Sequence, residues 1–302
     1  MTPLFEYYKE FVPDFAEFQD SLKDPIPTHL RINTLKAEAG KVQNRLKERG
    51  LKLFFSYLDD PTLVLAPDIP APGNLLEYFL GYIHPQAFTS CLAALVLNPE
   101  PESYVLDMCA APGGKTSHMA QLMGNTGLIV ANELYSSRHV ALGHTLSRLG
   151  VANCVITSYQ AQQFPLRTKF DYVLVDVPCS GEGTFRRVHS RSEYRENKQK
   201  ALLPELQKKI LTRGYQVLKK GGFLLYSTCT YNPEENEEVV SHLLEQSDAE
   251  ILPINLESIA IESGIEQWRG RRYDSMLRRT ARFYPHRVNS VGFFMARIRK
   301  PE

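Results

Sequence analysis

Apolar residues recur along this chain with two rhythms, and the change between them falls near residue 84. Before it, Leu4, Tyr8, Phe11, Phe15, Phe18 and Leu22 follow one another at three- and four-residue spacing, which is one face of a helix. Pro13 interrupts that face, so the spacing predicts two short helices, the second starting near Pro13, where a missing N–H is harmless. Leu30 to Asn33 alternates as a strand does. Residues 37–49 read as a helix closed by Gly50, and 51–57 and 62–65 read as strands. These elements predict a small α+β accessory domain over residues 1–83.

From His84 onward, short apolar runs alternate with stretches of helical period. The pattern predicts strands at 103–108, 127–132, 152–157, 170–176 and 222–228, with helices at 86–97, 115–123, 136–149 and 201–219. A further helix from Glu234 to Leu244, a short strand at 250–253 and a final strand from Val291 to Arg299 complete the chain. Strand–helix alternation implies an α/β fold with a Rossmann-like, largely parallel sheet and helices on both faces, here over residues 84–302. Ligands of such sheets bind beyond the carboxyl ends of the strands, so the residues there carry the functional reading.

The first strand runs into Cys109-Ala110-Ala111-Pro112-Gly113-Gly114-Lys115, a glycine turn leading into a helix start. That order lets backbone approach a nucleotide-type ligand and offers it free N–H groups. Gly-Gly-Lys-Thr resembles the end of a phosphate-binding P-loop, but that motif needs glycine where Cys109 stands. The second reading is a loop that cradles S-adenosylmethionine. Glu133 ends the second strand, where a carboxylate is placed to accept ribose hydroxyls or simply to cap a helix. Gln160 follows the third strand and could meet an adenine edge. Asp176 ends the fourth strand, three residues before Cys179, and the fifth ends in Ser227-Thr228-Cys229-Thr230. Neighbouring strands lie about 4.8 Å apart, so two thiols and an aspartate can share one pocket.

Composition narrows the remaining classes. With 43% hydrophobic and 23% charged residues in 302, the chain reads as an ordinary globular protein. It has no apolar run long enough for a membrane span and no secretory leader, so a cytoplasmic protein is expected. Cys91, Cys109, Cys154, Cys179 and Cys229 are scattered without a Cys-x-x-Cys pair, which argues against a disulfide framework and a metal site. Net charge is only +1, but basic residues cluster. Seven arginines lie between Arg269 and Arg287 among Tyr273, Phe283 and Tyr284, and Arg186, Arg187, Arg191, Arg195, Lys198 and Lys200 form a second set. Such clusters suit a nucleic-acid backbone with stacked bases, or an ordinary solvated face.

Three blocks carry a specific resemblance: Asp107 to Thr116, Asp176 to Gly183, and Ser227 to Glu237. They resemble the signature blocks of the RNA cytosine-5 methyltransferases, the RsmB/Nop (Nol/Nop/Sun) family. Arg31 to Leu35, Pro285 to Arg287 and Gly292 to Arg297 are similar to its flanking blocks. The resemblance implies S-adenosylmethionine as cofactor, with its methionine part in the Cys109–Lys115 loop, its ribose on Glu133 and its adenine near Gln160, where relatives usually carry aspartate. It implies Cys229 as a nucleophile toward cytosine carbon 6, Cys179 as the residue that assists release, and Asp176 between cofactor and base. RNA is then the expected partner, ribosomal rather than transfer, with a monomeric enzyme and no membrane association. Two rivals are a non-catalytic assembly factor that binds cofactor and RNA, and a DNA cytosine methyltransferase, in which the Thr228-Cys229-Thr230 block has no role.

Overall fold

The computed structural model describes residues 4–55, 60–69, 71–187 and 202–302, with Arg187 described by its backbone alone. Tyr57 of one expected strand and Arg191, Arg195, Lys198 and Lys200 of the second basic set lie outside these residues.

After helix α1 (Phe15–Ser21), a small antiparallel sheet joins β1 (His29–Ile32), β2 (Phe54–Phe55), β3 (Leu63–Leu65) and β4 (Ile83–Pro85) in the order β2-β3-β1-β4. Helices α2 (Ala39–Glu48) and α3 (Leu76–Phe79) belong to the same unit. Its core is self-contained, with Leu30 and Ile32 of β1 meeting Val42 and Leu46, the apolar stripe of α2. The domain boundary expected at residue 84 falls inside β4. Among residues 4–22, the apolar side chains do not join this core. Phe5, Tyr8 and Phe18 bury instead against the large domain, with ring centroids 5.6 Å from Phe5 to Tyr231 and 5.8 Å from Tyr8 to Trp268. The helical spacing of these residues told which face is apolar but not which surface it covers.

The large domain follows α4 (Phe88–Leu97) with β5 (Tyr104–Asp107), α5 (Gly114–Leu122), β6 (Leu128–Asn132), α6 (Ser136–Leu149), β7 (Cys154–Thr157) and β8 (Phe170–Asp176). Next come α7 (Leu203–Val217), β9 (Leu218–Thr228), α8 (Glu237–Gln246), β10 (Glu250–Leu252), β11 (Glu262–Ser263), β12 (Gln267–Trp268), β13 (Arg271–Arg272), β14 (Ala281–Phe283), α9 (Pro285–Val288) and β15 (Phe293–Arg299). The main sheet runs β11-β14-β15-β9-β8-β5-β6-β7, with β10 on β15. The strands from β5 to β9 are mutually parallel, and β15 joins antiparallel to β9. Strand alternation divides the core cleanly: Val173, Val175, Leu224 and Tyr226 face α7 and α8, while Tyr172, Leu174 and Leu225 face α4 and α5. This is the doubly wound α/β architecture that the alternating pattern predicts.

The arginine-rich segment is the largest difference from the sequence reading. Residues 271–283 form β13, which pairs with β12 in a separate two-stranded sheet, a short 3-10 turn, and β14, which lies between β11 and β15 in the main sheet. Tyr273, Phe283 and Tyr284 are buried and therefore offer no stacking surface. Arg282 is 2% exposed, donating from Nε to Glu237 Oε1 at 2.7 Å and from Nη1 to the Tyr231 carbonyl at 2.9 Å. Arg269, Arg271, Arg278 and Arg287 each pair with a carboxylate: Glu234, Glu238, Glu266 and Asp14. Acids outside the segment thus pair with five of its seven arginines once the chain folds.

The two units are tied through Arg31, whose side chain is fully buried yet meets only neutral acceptors. It donates to Gln86 Oε1 at 3.2 Å, to Ser117 Oγ at 2.8 Å, and to Gln121 Oε1. Burial lowers its pKa to about 10. Through Ser117 and Gln121 the small sheet grips α5, the helix that begins at the glycine turn. Breaking one partner of the Arg282–Glu237 pair strands a buried charge, at a cost of about 3–5 kcal/mol. Denaturant unfolding is expected to show that loss for Arg282→Ala, whereas exposed Arg272→Ala should stay within about 0.5 kcal/mol of the parent.

Candidate active site

At the carboxyl ends of β5, β8 and β9 lies a cavity of about 250 Å³, walled by the Cys109–Lys115 loop, Asp107, Asp176, Cys229 and Phe293, with His84 and Gln86 opposite. Its floor is the glycine turn, entered through a cis Ala111–Pro112 peptide bond. A β-carbon on Gly114 would come within 3.3 Å of His84 Nε2, narrowing the cavity at the helix start.

Asp176 is held by two side chains. Lys115 Nζ donates to Oδ2 at 2.7 Å and Ser227 Oγ donates to Oδ1 at 2.7 Å. Burial opposes the Lys115 charge, but the facing Asp176 carboxylate outweighs it and raises the lysine pKa. Register explains the grouping, because Asp176 pairs with Ser227 across parallel β8 and β9 and the two cysteines follow these adjacent ends. Their sulfurs stand 3.2 Å apart, and the Cys229 N–H donates to Cys179 Sγ at 3.4 Å. Cys229 is among the residues lining the cavity, and Cys179 is not.

The five cysteines differ sharply in acidity. Burial pushes Cys91 and Cys154 up to about 12, and it raises Cys109 as well. Cys179 is raised first by its hydrogen bond to Cys229 and then by burial. Cys229 alone is lowered. The hydrogen bond from the Cys179 thiol is the largest cause, with Lys115 assisting against burial and the Asp176 charge. The hydrogen bond between the sulfurs thus favours Cys229, which faces the cavity, as the more acidic member of the pair.

Backbone contacts lock this arrangement. The Gly183 N–H donates to the Cys229 carbonyl at 2.8 Å, and the Gly292 N–H donates to the Gly183 carbonyl at 2.9 Å. A β-carbon on Gly183 would lie 2.1 Å from the Gly292 carbonyl oxygen, so only glycine admits this approach. Glu182 accepts from Tyr8 at 2.9 Å and from Thr230 at 3.0 Å, which anchors the N-terminal segment beside the Cys179 loop.

Two expected residues stand farther from the cavity wall. Glu133, 3% exposed beyond β6, accepts from the Tyr135 N–H and pairs with Arg138 at 3.0 Å. Gln160 is exposed, and its Oε1 accepts from Gln162 Nε2 at 2.9 Å. Sequence reasoning missed Ser227, Phe293, His84 and Gln86. Ser227 and Phe293 sit inside quoted blocks, so their register was available there. His84 and Gln86 precede a helix with no chemical pattern to mark them.

Residues 94–299 match the sequence pattern of a family described as 16S rRNA methyltransferase RsmB/F. The chain belongs to this family. It is 37% identical to a human 28S rRNA (cytosine(4447)-C(5))-methyltransferase over 95% of its own length, but spans only 36% of that protein. It is 36% identical to the tRNA (cytosine(49)-C(5))-methyltransferase of Pyrococcus abyssi, covering 99% of this chain and 96% of that one. A crystallised methyltransferase homolog from Pyrococcus horikoshii shares the fold with a TM-score of 0.86 and 32% identity, over 97% of this chain and 93% of that chain. The family and these named relatives are methyltransferases, and S-adenosylmethionine is the cofactor of the class.

The cavity suits that cofactor. Asp107 is 1% exposed and lines the wall, with Oδ2 accepting from Thr116 at 2.7 Å and Oδ1 without a hydrogen-bond partner among the described residues. Burial pushes its carboxyl up to about 7. A cationic methionine end would satisfy the orphaned oxygen and restore the charged form.

The RsmB/F sequence predicts its own thiol chemistry here. Cys229 should be the first of the five cysteines to react with iodoacetamide at neutral pH, as read by peptide mapping. Cys179→Ala removes the main cause of its acidity, so the pH midpoint for alkylating Cys229 should move upward; an unmoved midpoint would contradict the assignment.

Proposed function

We propose that this chain methylates carbon 5 of a cytosine in RNA, with Cys229 forming a transient bond to carbon 6 of the ring. The carrying observation is the sulfur pair, 3.2 Å apart, whose more acidic member, Cys229, faces the cavity. Carbon 5 of cytosine is too electron-poor to take a methyl group unaided. Thiolate addition at carbon 6 makes carbon 5 nucleophilic, dividing one hard step into easier ones. S-adenosylmethionine supplies the methyl group when bound. The Cys109–Lys115 loop and Asp107 would hold its methionine part, Glu133 its ribose and Gln160 its adenine.

Asp176 is positioned by Lys115 and Ser227 to meet the exocyclic amine or ring nitrogen 3, stabilising charge that develops on the ring. Phe293 on the cavity wall lies under Lys115, whose Nζ is 5.4 Å from its ring centroid, and so helps hold that cation beside Asp176. Cys179 donates to the Cys229 sulfur while that sulfur is a thiolate, and this donation favours the free thiolate over the thioether. After methyl transfer a base removes the carbon 5 proton, the C5–H electron pair re-forms the ring double bond and the carbon 6–sulfur bond breaks, and this expulsion of the Cys229 thiolate gains from Cys179.

A paired, stacked base cannot be approached at its face and edge together, so the target is a loop cytosine or one turned out of its stack. Ribosomal RNA is the first substrate reading, supported by the family description. Transfer RNA is the second, favoured by the Pyrococcus abyssi relative, which matches this chain nearly end to end. Residues 1–83 would serve as an accessory RNA-binding domain in either case.

Incubation with S-adenosylmethionine and separate rRNA and tRNA pools, followed by denaturing gels, tests the assignment. Cys229→Ala should give no covalent protein–RNA band, and Cys179→Ala should accumulate one. Turnover retained in Cys229→Ala would overturn the nucleophile assignment.

A further inference from the structure

Besides its own backbone, the Cys179 loop is held by one carboxylate that none of the steps above uses. Glu235 lies in the turn before α8 and is 1% exposed. Its Oε2 accepts from the Ser180 N–H at 2.9 Å and from Gln207 Nε2 at 2.9 Å. The same Gln207 amide donates to the Pro178 carbonyl at 2.9 Å, so both residues flanking Cys179 are tied to this one acid. Oε1 is within 3.4 Å of Asn232 Nδ2, and the Tyr226 hydroxyl donates to the Glu235 backbone carbonyl at 2.6 Å.

Among the described residues, the side-chain partners of Glu235 are all neutral donors. A buried charge with no opposite charge beside it projects its field onto nearby titratable groups. The groups facing Cys179 come from several elements. Cys229 and Tyr226 belong to β9 or its end, Asp176 ends β8, Lys115 reaches in from α5 toward Asp176, and Glu235 stands before α8. Lys115 is engaged by Asp176 on the Cys229 side of the pair, while Glu235 stands on the Cys179 side. Beside Cys229 the Lys115 charge is thus countered by Asp176, whereas the Glu235 carboxylate stands beside the Cys179 loop without a cation among the described residues.

We propose that Glu235 is a positioning residue that holds the Cys179 loop and decides which of the two cysteines keeps the proton. Its charge holds Cys179 as the thiol and leaves the negative charge to Cys229, so the hydrogen bond between the sulfurs runs in one direction. Both the hydrogen bond to Cys229 and the Glu235 charge raise the Cys179 pKa. This role rests on the reading of Cys179 as donor to a Cys229 thiolate, but thiol titration tests it without RNA or turnover.

The background is Cys229→Ser, in which alkylation at position 179 is followed by mass spectrometry across pH. Cys179 should titrate there above the ordinary thiol value of about 8.5; a midpoint at or below it overturns the proposal with Glu235 untouched. Adding Glu235→Gln keeps the shape and removes the charge, and should speed alkylation at neutral pH by about tenfold, one unit of midpoint. Glu235→Asp keeps the charge and should restore titration toward the parent. Superimposable curves for the Glu and Gln proteins would reduce Glu235 to a purely structural anchor. In the chain with both cysteines, Glu235→Gln should also raise the fraction trapped as RNA adduct. If the titration shifts and no RNA adduct ever forms, the substrate reading fails and the role of Glu235 stands.

Discussion

A hydrogen bond between two sulfurs 3.2 Å apart is the contact on which the rest of this structure depends. Sulfur is a weak donor and a weak acceptor, so the bond needs one sulfur protonated and the other charged to have consequence. The fold supplies that asymmetry from several directions. Parallel pairing of β8 with β9 brings the two loops together, Lys115 stands toward Cys229, and the Gly183–Gly292 approach fixes the Cys229 carbonyl. The doubly wound sheet is a general scaffold, and the chemistry lies in which residues occupy its strand ends.

The surrounding domain keeps those ends in register by unusual use of polar burial. Arg31 crosses from the small sheet to α5 and Arg282 crosses from β14 to the start of α8, each with all three guanidinium nitrogens donating to protein groups. Such contacts contribute geometry more than net stability, because desolvating an ion offsets much of what pairing returns. The fold also connects parts that the sequence separates: apolar side chains of residues 4–22 share one core with Tyr231 and Trp268, beside the Cys229 loop.

Period and punctuation made most of the fold legible. Alternating apolar runs located β5 to β9, Gly113-Gly114 marked the entry to α5, and Asp176, Cys179 and Cys229 stood out as chemistry-bearing residues at strand ends. What stayed hidden were relations made only in three dimensions. The arginines from 269 to 287 looked like a surface for phosphate because Glu234, Glu237, Glu238, Glu266 and Asp14 approach them only after folding. The elements β4, α3 and β11 to β14 are too short for any period to show. His84 enters the cavity wall from a strand that its neighbours Ile83 and Pro85 define by pairing with β1, not by pattern.

The most direct measurement is nucleoside mass spectrometry after the purified chain has acted on unmodified rRNA and tRNA with S-adenosylmethionine bearing a deuterated methyl group. The expected product is 5-methylcytidine carrying the heavy methyl at a discrete site, with loss of one ring hydrogen from carbon 5. Heavy methyl on another atom, or none from either RNA while the protein binds the cofactor, would contradict the account.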